Sequence, residues 1–212
     1  WSYDQVEPMA TYLATVQIGR YEVRELECDV PMTAAVPTDA GDGFADAFGR
    51  QAEMMATFVE LFGPYPFPSY AVVVTADDLE IPLESQTLST FGRNFLNDDW
   101  ESVRLVAHEL AHQWFGNAVT LGSWRDIWLH EGFACYAEWL WSERRGLASA
   151  NERARHHWTI LAAEDQPAPL ADPGRPNTFD DWVYKRGALT LHALRAALGD
   201  EAFFTLCRDW VT

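Results

Sequence analysis

The residues most able to do chemistry are two histidines and two glutamates within a window of 24 residues. The first block reads HELAH, with His108 and His112 four positions apart, and Glu131 follows after eighteen further residues. On an α-helix, positions i and i+4 share one face, so both imidazoles can bind a single metal ion. Glu109 then leans over the open side of that ion, where the HExxH arrangement uses a glutamate as general base on a zinc-bound water.

A third metal ligand is needed, because HExxH alone supplies only two. Glu131 is well placed to provide it. Two histidines, one glutamate and an open fourth position form the ligand set of a catalytic zinc site, whereas a structural site is closed by four protein ligands. The sequence therefore predicts one Zn²⁺ per chain, bound by His108, His112 and Glu131. These three residues alone do not distinguish zinc from another divalent metal ion.

Two helices must position these side chains. The apolar residues around HELAH recur at helical spacing, and they are Leu105, Val106, Leu110, Trp114 and Phe115. A second helical pattern runs from about residue 130 to residue 144 and places Glu131 in its first turn, where the helix dipole favours a carboxylate. The alternative is a buried helix that merely carries two histidines. Polar side chains that converge between two apolar helices are costly without a metal, which favours the zinc interpretation.

Four sequence blocks together resemble the aminopeptidase N family, the gluzincin zinc aminopeptidases. Residues 105–117 (LVAHELAHQWFGN) and 128–134 (WLHEGFA) are similar to the core of that family. Upstream, residues 83–87 (LESQT) look like the motif usually written GAMEN, which recognises the substrate amine. Downstream, residues 183–188 (VYKRGA) resemble the block that carries the catalytic tyrosine. The blocks occur in the family's order, which is far more specific than any one of them.

The resemblance implies an α+β fold like the thermolysin catalytic domain, with a small mixed sheet packed on a mainly helical lobe. It also implies that Tyr184 donates a hydrogen bond to the oxyanion of the reaction and that Glu84 binds the free α-amine of the substrate. Outside this context, Tyr184 would be an ordinary tyrosine at a helix start and Glu84 a solvated carboxylate. Residues 81–85 read IPLES in place of GAMEN, so the resemblance does not decide whether the backbone contacts of that motif are kept.

Two further carboxylates are candidates to accept a hydrogen bond from the ring N–H of a ligand histidine that does not face the metal. Glu138 lies seven residues after Glu131, two turns on and on the same helix face, so it can accept the outer N–H of a histidine. Asp126 is the second candidate, with an exposed loop carboxylate as the equal alternative. His130 replaces the asparagine usual in the family and points to another side of the helix, so it is not expected among the metal ligands.

Length and resemblance together predict part of a larger enzyme. The 212 residues are enough for one domain with a sizeable core, whereas family members are several times longer. Residues 1–20 are expected to be the tail of an N-terminal β domain and residues 21–212 a thermolysin-like catalytic domain. A C-terminal helical domain is expected to begin near or beyond Thr212, outside this chain.

The remaining pattern predicts the elements around the site. In chain order, they are strands in residues 20–38, a loop at 39–43, a helix over 44–62, a strand at 70–75, a loop at 165–178, and helices over 188–198 and near 203. Residues 79–92 are expected to form an edge strand that carries Glu84.

The composition limits the partners. The chain has 15 basic and 32 acidic residues, a formal net charge of −17, which disfavours nucleic acids and anionic membrane surfaces. No apolar run of about eighteen residues exists, so no membrane-spanning segment is expected. A cytoplasmic location is favoured, and the oligomeric state is open. Three widely spaced cysteines (Cys28, Cys135 and Cys207) fit buried thiols better than a disulfide framework.

The predicted function is hydrolysis of the N-terminal residue from peptides with a free N-terminus, by zinc-activated water. Two alternatives remain. A thermolysin-type zinc endopeptidase shares the ligand pattern but has no use for an amine-binding carboxylate such as Glu84. The second alternative is a zinc-binding fragment that is inactive without its flanking domains. A degenerate, non-catalytic module is disfavoured, because Glu109 and Tyr184 are both present.

Overall fold

The computed structural model describes residues 5–40, 43–165 and 168–212, which contain four β-strands and seven α-helices. In chain order, they are β1 (Tyr21–Leu26), β2 (Met32–Pro37), α1 (Gly43–Phe48), α2 (Gln51–Phe62), β3 (Tyr70–Val74), β4 (Leu88–Phe91), α3 (Trp100–Ala111), α4 (Trp128–Arg144), α5 (Ala150–Ala162), α6 (Asp181–Leu198) and α7 (Asp200–Val211). Residues 41–42 and 166–167 of two predicted loops lie outside the described residues. None of the described helices is both long and apolar enough to cross a membrane.

The four strands form one mixed sheet in the order β1-β2-β3-β4. β1 and β2 pair antiparallel, whereas β2 with β3 and β3 with β4 pair parallel. β3 is a run of valine and alanine between Tyr70 and Val74 with most side chains buried, as expected for an inner parallel strand covered on both faces. The sheet is small beside the helices, which confirms the predicted α+β class.

The edge strand predicted to carry Glu84 is shorter than expected, and Glu84 does not lie in it. β4 begins only at Leu88, and Leu83 joins this strand by an isolated antiparallel bridge. Pro82 has no backbone N–H to continue a ladder, and a tight turn follows in which the first N–H of β4 donates to the carbonyl of Ser85. Glu84 is therefore on a short loop between the bridge and β4.

An aromatic cluster joins α2 to the segment that follows the metal motif. Phe58 and Phe62 on α2 pack edge-on against Trp114, which is fully buried and donates its indole N–H to the carbonyl of Gly63 at 3.1 Å. Phe62 also packs edge-on against Phe115. Because Trp114 and Phe115 lie two and three residues after HELAH, their burial holds the chain in place just beyond the end of α3.

The single helix predicted over residues 44–62 is interrupted. α1 ends at Phe48 and α2 begins at Gln51, with Gly49 in the break, where a residue of low helix propensity favours a turn. The predicted C-terminal end is confirmed. Gly63 caps α2 with φ +99°, a conformation that favours glycine.

α4 and α6 form the most extensive helix–helix contact of the described residues and approach closest at two glycines. A Cβ added to Gly132 would lie 2.8 Å from Cα of Gly187, and one added to Gly187 would lie 2.8 Å from Cα of Gly132. Only glycine allows the two backbones to come this close. Since Gly132 follows Glu131 and Gly187 lies one turn after Tyr184, this contact positions the tyrosine beside the metal-ligand group.

Candidate active site

His108, His112 and Glu131 converge where the end of α3 meets the start of α4. His112 lies just past the last residue of α3 but keeps a helical conformation (φ −57°, ψ −23°), so the two histidines stay on one face. One carboxylate oxygen of Glu131 lies 3.2 Å from Nε2 of His108 and 3.3 Å from Nε2 of His112. All three side chains are buried.

This group fits a metal ion by distance and by donor chemistry. Ligand atoms about 2.0–2.2 Å from a tetrahedral zinc ion lie roughly 3.3 Å apart, which agrees with the two N···O distances. Each of the three residues offers one ligand atom, and these atoms all lie within 4.8 Å of one another. Across the described residues, no other group of three His, Cys, Asp or Glu side chains has this property. Two imidazoles and one carboxylate are donors that suit zinc.

The outer nitrogen of each histidine is also engaged, which determines the orientation of both rings. Nδ1 of His108 lies 2.8 Å from Oε1 of Glu138, and Nδ1 of His112 lies 3.1 Å from the carbonyl oxygen of Phe115. Because both partners accept, each Nδ1 carries the proton and each Nε2 is left for a metal. Glu138 therefore lies against a ligand histidine, whereas no hydrogen bond joins Asp126 to either histidine in the described ranges.

Charge and burial compete over the protonation of this group. Burial alone would lower the pKa of His108, but the hydrogen bonds and charges of Glu131 and Glu138 outweigh it and raise that pKa to about 9. Burial also opposes charge on His112, and Glu131 raises its pKa to about 9. The pKa of Glu131 would rise on burial, yet the two histidines hold it well below its usual range. Because the pKa of each histidine is raised, a metal ion that binds here must displace protons from the two imidazoles.

Glu109 is buried beside this centre, with only 4% of its surface exposed. Burial raises the pKa of Glu109 well above its ordinary value, His112 opposes the rise, and the charges of Glu84 and Glu131 add to it. A raised pKa makes the Glu109 carboxylate a stronger base, which suits it to accept a proton.

Tyr184 lies near the start of α6 and covers the face of one ligand histidine. Its ring is nearly parallel to that of His108, at 22°, with 5.8 Å between the ring centroids. Burial, and then the charges of Glu131 and Glu109, raise the pKa of Tyr184, so its hydroxyl is a protonated donor at neutral pH.

The loop that carries Glu84 is held by residues that directly follow the metal motif. Nδ2 of Asn117 donates to the carbonyl oxygen of Glu84 at 2.7 Å. The side-chain oxygen of Gln113 accepts the N–H of Thr87 at 2.8 Å, and its nitrogen donates to the carbonyl of Ser85 at 3.1 Å. The Glu84 carboxylate is half-buried and acts electrostatically on Glu109, so the structure brings the two glutamates to one site.

The Peptidase family M1 domain matches residues 47–212 of the chain. The chain belongs to peptidase family M1. The leucyl aminopeptidase of Saccharolobus solfataricus is 30% identical over 226 aligned positions, which cover 96% of this chain and 28% of that protein. Human aminopeptidase N is 33% identical, over 92% of this chain and 23% of that protein. These relatives confirm the resemblance, and the chain spans about a quarter of their length.

Solved M1 structures agree with the fold. The M1 zinc metallopeptidase from Deinococcus radiodurans is 35% identical with a TM-score of 0.79, over 91% of this chain and 44% of that one. The E323A mutant of the enzyme from that organism, bound to a Tyr-Ser-Ala substrate, is 34% identical with a TM-score of 0.80 over the same shares. The predicted small mixed sheet on a mainly helical metallopeptidase lobe is confirmed.

Four residues of this M1 site were not assigned from the sequence. Gln113 and Asn117 hold the Glu84 loop, and Arg104 and Lys185 both contact Glu138. The sequence signal that could have identified them is a polar residue at a position where the helical pattern predicts an apolar one. Gln113 and Asn117 are polar residues within a buried stretch, and Arg104 lies one helical turn before His108 on the same face.

His130 stays outside the metal group of this M1 chain, as expected. Its Nε2 accepts the backbone N–H of Leu121 at 3.0 Å. Burial and the neighbouring charge of His112 lower the pKa of His130 to about 4, so the ring is neutral and can act as this acceptor.

Proposed function

We propose that this chain carries the catalytic site of a zinc-dependent aminopeptidase, which removes the N-terminal residue from peptides with a free N-terminus. The observation that carries the proposal is the convergence of a buried His108–His112–Glu131 group with Glu109, Tyr184 and Glu84. The family relatives named aminopeptidases support it at the level of reaction class.

His108, His112 and Glu131 would hold the zinc ion. When bound, zinc supplies a Lewis acid that polarises the scissile carbonyl and lowers the pKa of water to about 7. Glu109 would accept the proton of the attacking water, which its raised pKa favours, and would later deliver that proton to the leaving amine nitrogen. The hydroxyl of Tyr184, protonated at neutral pH, would donate a hydrogen bond to the carbonyl oxygen as negative charge develops there.

Glu84 would bind the substrate ammonium and so determine that cleavage starts from the N-terminus. Gln113 and Asn117 hold the backbone of its loop relative to HELAH, which supports this role. The Glu138–His108 hydrogen bond would orient that ligand. Peptides are the proposed partners, whereas the cytoplasmic location and the lack of a nucleic-acid partner stay predictions.

Two alternatives lead to different experimental outcomes. A thermolysin-type endopeptidase would cleave substrates whether or not their amine is blocked. A chain that depends on flanking domains would bind zinc and turn over little substrate. Because the chain spans about a quarter of its relatives' length, we expect weak turnover from this chain alone.

The test compares aminoacyl-naphthylamides with their N-acetylated counterparts, with zinc content measured on the same sample. We expect cleavage of the free-amine substrates only, with one zinc per chain. Glu84→Gln should lower kcat/KM for the free amines about 100-fold, because the ammonium loses its charged partner. Glu80→Gln, at an exposed acid nearby in the chain, is the matched control and should change little. Comparable cleavage of the acetylated substrates would contradict the aminopeptidase proposal and indicate an endopeptidase.

A further inference from the structure

A buried ion cluster lies directly behind the metal-ligand group, and its cations have no part in the mechanism above. Its centre is Glu138, whose side chain is 3% exposed and whose Oε1 lies 2.8 Å from Nδ1 of His108. Nη1 of Arg104 lies 3.3 Å from the other carboxylate oxygen, and Nζ of Lys185 lies 3.9 Å from it. One carboxylate therefore serves a ligand histidine and two cations, which come from two different helices, α3 and α6.

The two cations are not equivalent. The Arg104 side chain is 25% exposed and also pairs with the exposed Glu101 at 2.7 Å. The Lys185 side chain is only 9% exposed, and its ammonium donates to Sγ of Cys135 at 3.4 Å and lies 3.9 Å from the exposed Asp181. Charge acts more strongly where less water screens it, so Lys185 is the more effective partner of Glu138 despite the longer distance.

A carboxylate as deeply buried as that of Glu138 needs positive charge beside it to stay ionised, and Lys185 and Arg104 supply that charge. An ionised carboxylate accepts the N–H of His108, whereas a protonated one would compete with it as a donor.

We propose that Lys185 is a positioning residue of the metal site, which holds the Glu138 carboxylate against His108 and so keeps the metal-binding nitrogen of that histidine turned toward the ion. This inference rests on the proposed zinc function. Lys185 directly follows Tyr184, so two consecutive residues of α6 act on one ring. Tyr184 packs on the face of His108, while Lys185 acts through Glu138 on its Nδ1 edge.

A lysine that only fills space between α4 and α6 would behave differently. The aliphatic stem of a lysine packs like an apolar side chain, and a methionine of similar length reproduces that packing. Lys185→Met therefore removes the charge and keeps most of the packing. Lys185→Arg keeps the charge. The two substitutions separate a positioning role from a packing role.

The experiment measures zinc affinity by competition with a chromogenic chelator, together with the visible absorption of the cobalt(II)-substituted chain, which reports ligand geometry. Lys185→Met should bind zinc about tenfold more weakly and alter the cobalt spectrum, and Lys185→Arg should recover affinity to within about threefold of the original chain. Arg195→Met is the matched control. Arg195 is a largely buried cation of the same helix that pairs with Glu143 and Asp200, so its loss should lower stability and leave zinc affinity unchanged.

A double variant tests whether the effect passes through the carboxylate. On a Glu138→Gln background the ammonium has lost the buried carboxylate that it is proposed to hold, so adding Lys185→Met should cause no further loss of zinc affinity. An unchanged zinc affinity and cobalt spectrum in folded Lys185→Met would overturn the proposal, as would an undiminished loss on the Glu138→Gln background. If Lys185→Met does not fold, Lys185→Gln takes its place with the same expected outcomes.

Failure of the proposed function would be visible separately. A chain that binds zinc but cleaves no peptide would contradict the aminopeptidase assignment, and the zinc affinities of the Lys185 variants would still decide the positioning role. A chain that binds no zinc at all would overturn both.

Discussion

The two sides of the site are built in opposite ways. On the metal side, buried side chains project from three helices and contact one another directly, as His108 does with Glu131 and Glu138. On the amine side, Glu84 is half-buried on a loop whose backbone is held by hydrogen bonds from Gln113 and Asn117. The metal side depends on helix packing and charge, whereas the amine side depends on a few side-chain hydrogen bonds.

The difference teaches that zinc binding and substrate recognition should be separable by mutation, although both begin at one stretch of chain. Gln113 immediately follows HELAH, and Asn117 lies four residues further on. Their side chains point to the Glu84 loop, while the histidines of HELAH turn to α4. Substitutions can therefore weaken one side and spare the other.

We expect the largest effect from a substitution on the metal side that stops catalysis but keeps the metal bound. Glu109→Gln removes the proposed general base and leaves the three metal ligands intact, so kcat/KM should fall about 10³-fold with zinc content unchanged. Steady-state kinetics and metal analysis on the same sample check this. Activity within tenfold of the original chain would exclude Glu109 as the base.

Helix packing should be the next most sensitive feature of the metal side. Gly187→Ala introduces a Cβ about 2.8 Å from Cα of Gly132, so α4 and α6 must separate. We expect the free energy of unfolding to fall by about 2 kcal/mol, measured by denaturant titration. Gly122→Ala is the control, because its added Cβ meets no atom within 4 Å. Equal stability of the two variants would contradict the close approach of the helices.

A substitution on the amine side should spare the metal. Gln113→Ala leaves the N–H of Thr87 and the carbonyl of Ser85 without their partner and loosens the Glu84 loop. We expect kcat/KM for free-amine substrates to fall about tenfold, mainly through KM, with zinc affinity unchanged. A parallel loss of zinc affinity would show that the two sides are not separable.

We expect the smallest effect on the pH dependence of stability, through a histidine that packs on the outer side of α4. His157 on α5 stacks on Trp139 of α4 at 5.3 Å, and burial, then the charges of Lys185 and His156, lower its pKa to about 4. The unfolded chain therefore binds more protons between about pH 4 and 6.5, so this contribution to stability is lost as pH falls through that window.

Since solvent partly screens this half-buried ring, the loss should be about 1 kcal/mol between pH 7 and pH 4.5. His157→Phe keeps the stacking and should reduce the pH dependence of the unfolding free energy by that amount. An identical pH dependence in the two chains would show that another group is responsible.

The parts of the fold and site that follow local periodicity could be predicted. The helical spacing around HELAH and the position of Glu131 in the first turn of α4 indicated which side chains would meet, and the structure brings them together. The start and end of the strand beginning at Tyr70 and the C-terminal end of α2 at Gly63 follow from short-range signals in the same way.

The parts that depend on long-range partners could not be predicted. The extent of β4 is determined by a bridge to Leu83 and by a turn held by Gln113, which lies 26 residues after Thr87. The roles of Arg104 and Lys185 require knowledge of how α3, α4 and α6 pack. Among the described residues, Asp126 makes no hydrogen bond to either ligand histidine, because Glu138 and the Phe115 carbonyl already occupy both outer nitrogens.

Those outer partners also make the two ligand histidines chemically unequal. His108 donates to a carboxylate anion, whereas His112 donates to the neutral peptide carbonyl of Phe115. An anionic partner draws the Nδ1 proton toward itself and makes the imidazole the stronger electron donor through its other nitrogen. His112 would therefore be the weaker of the two imidazole ligands of a bound metal ion, and so the one that a chelator would displace more readily.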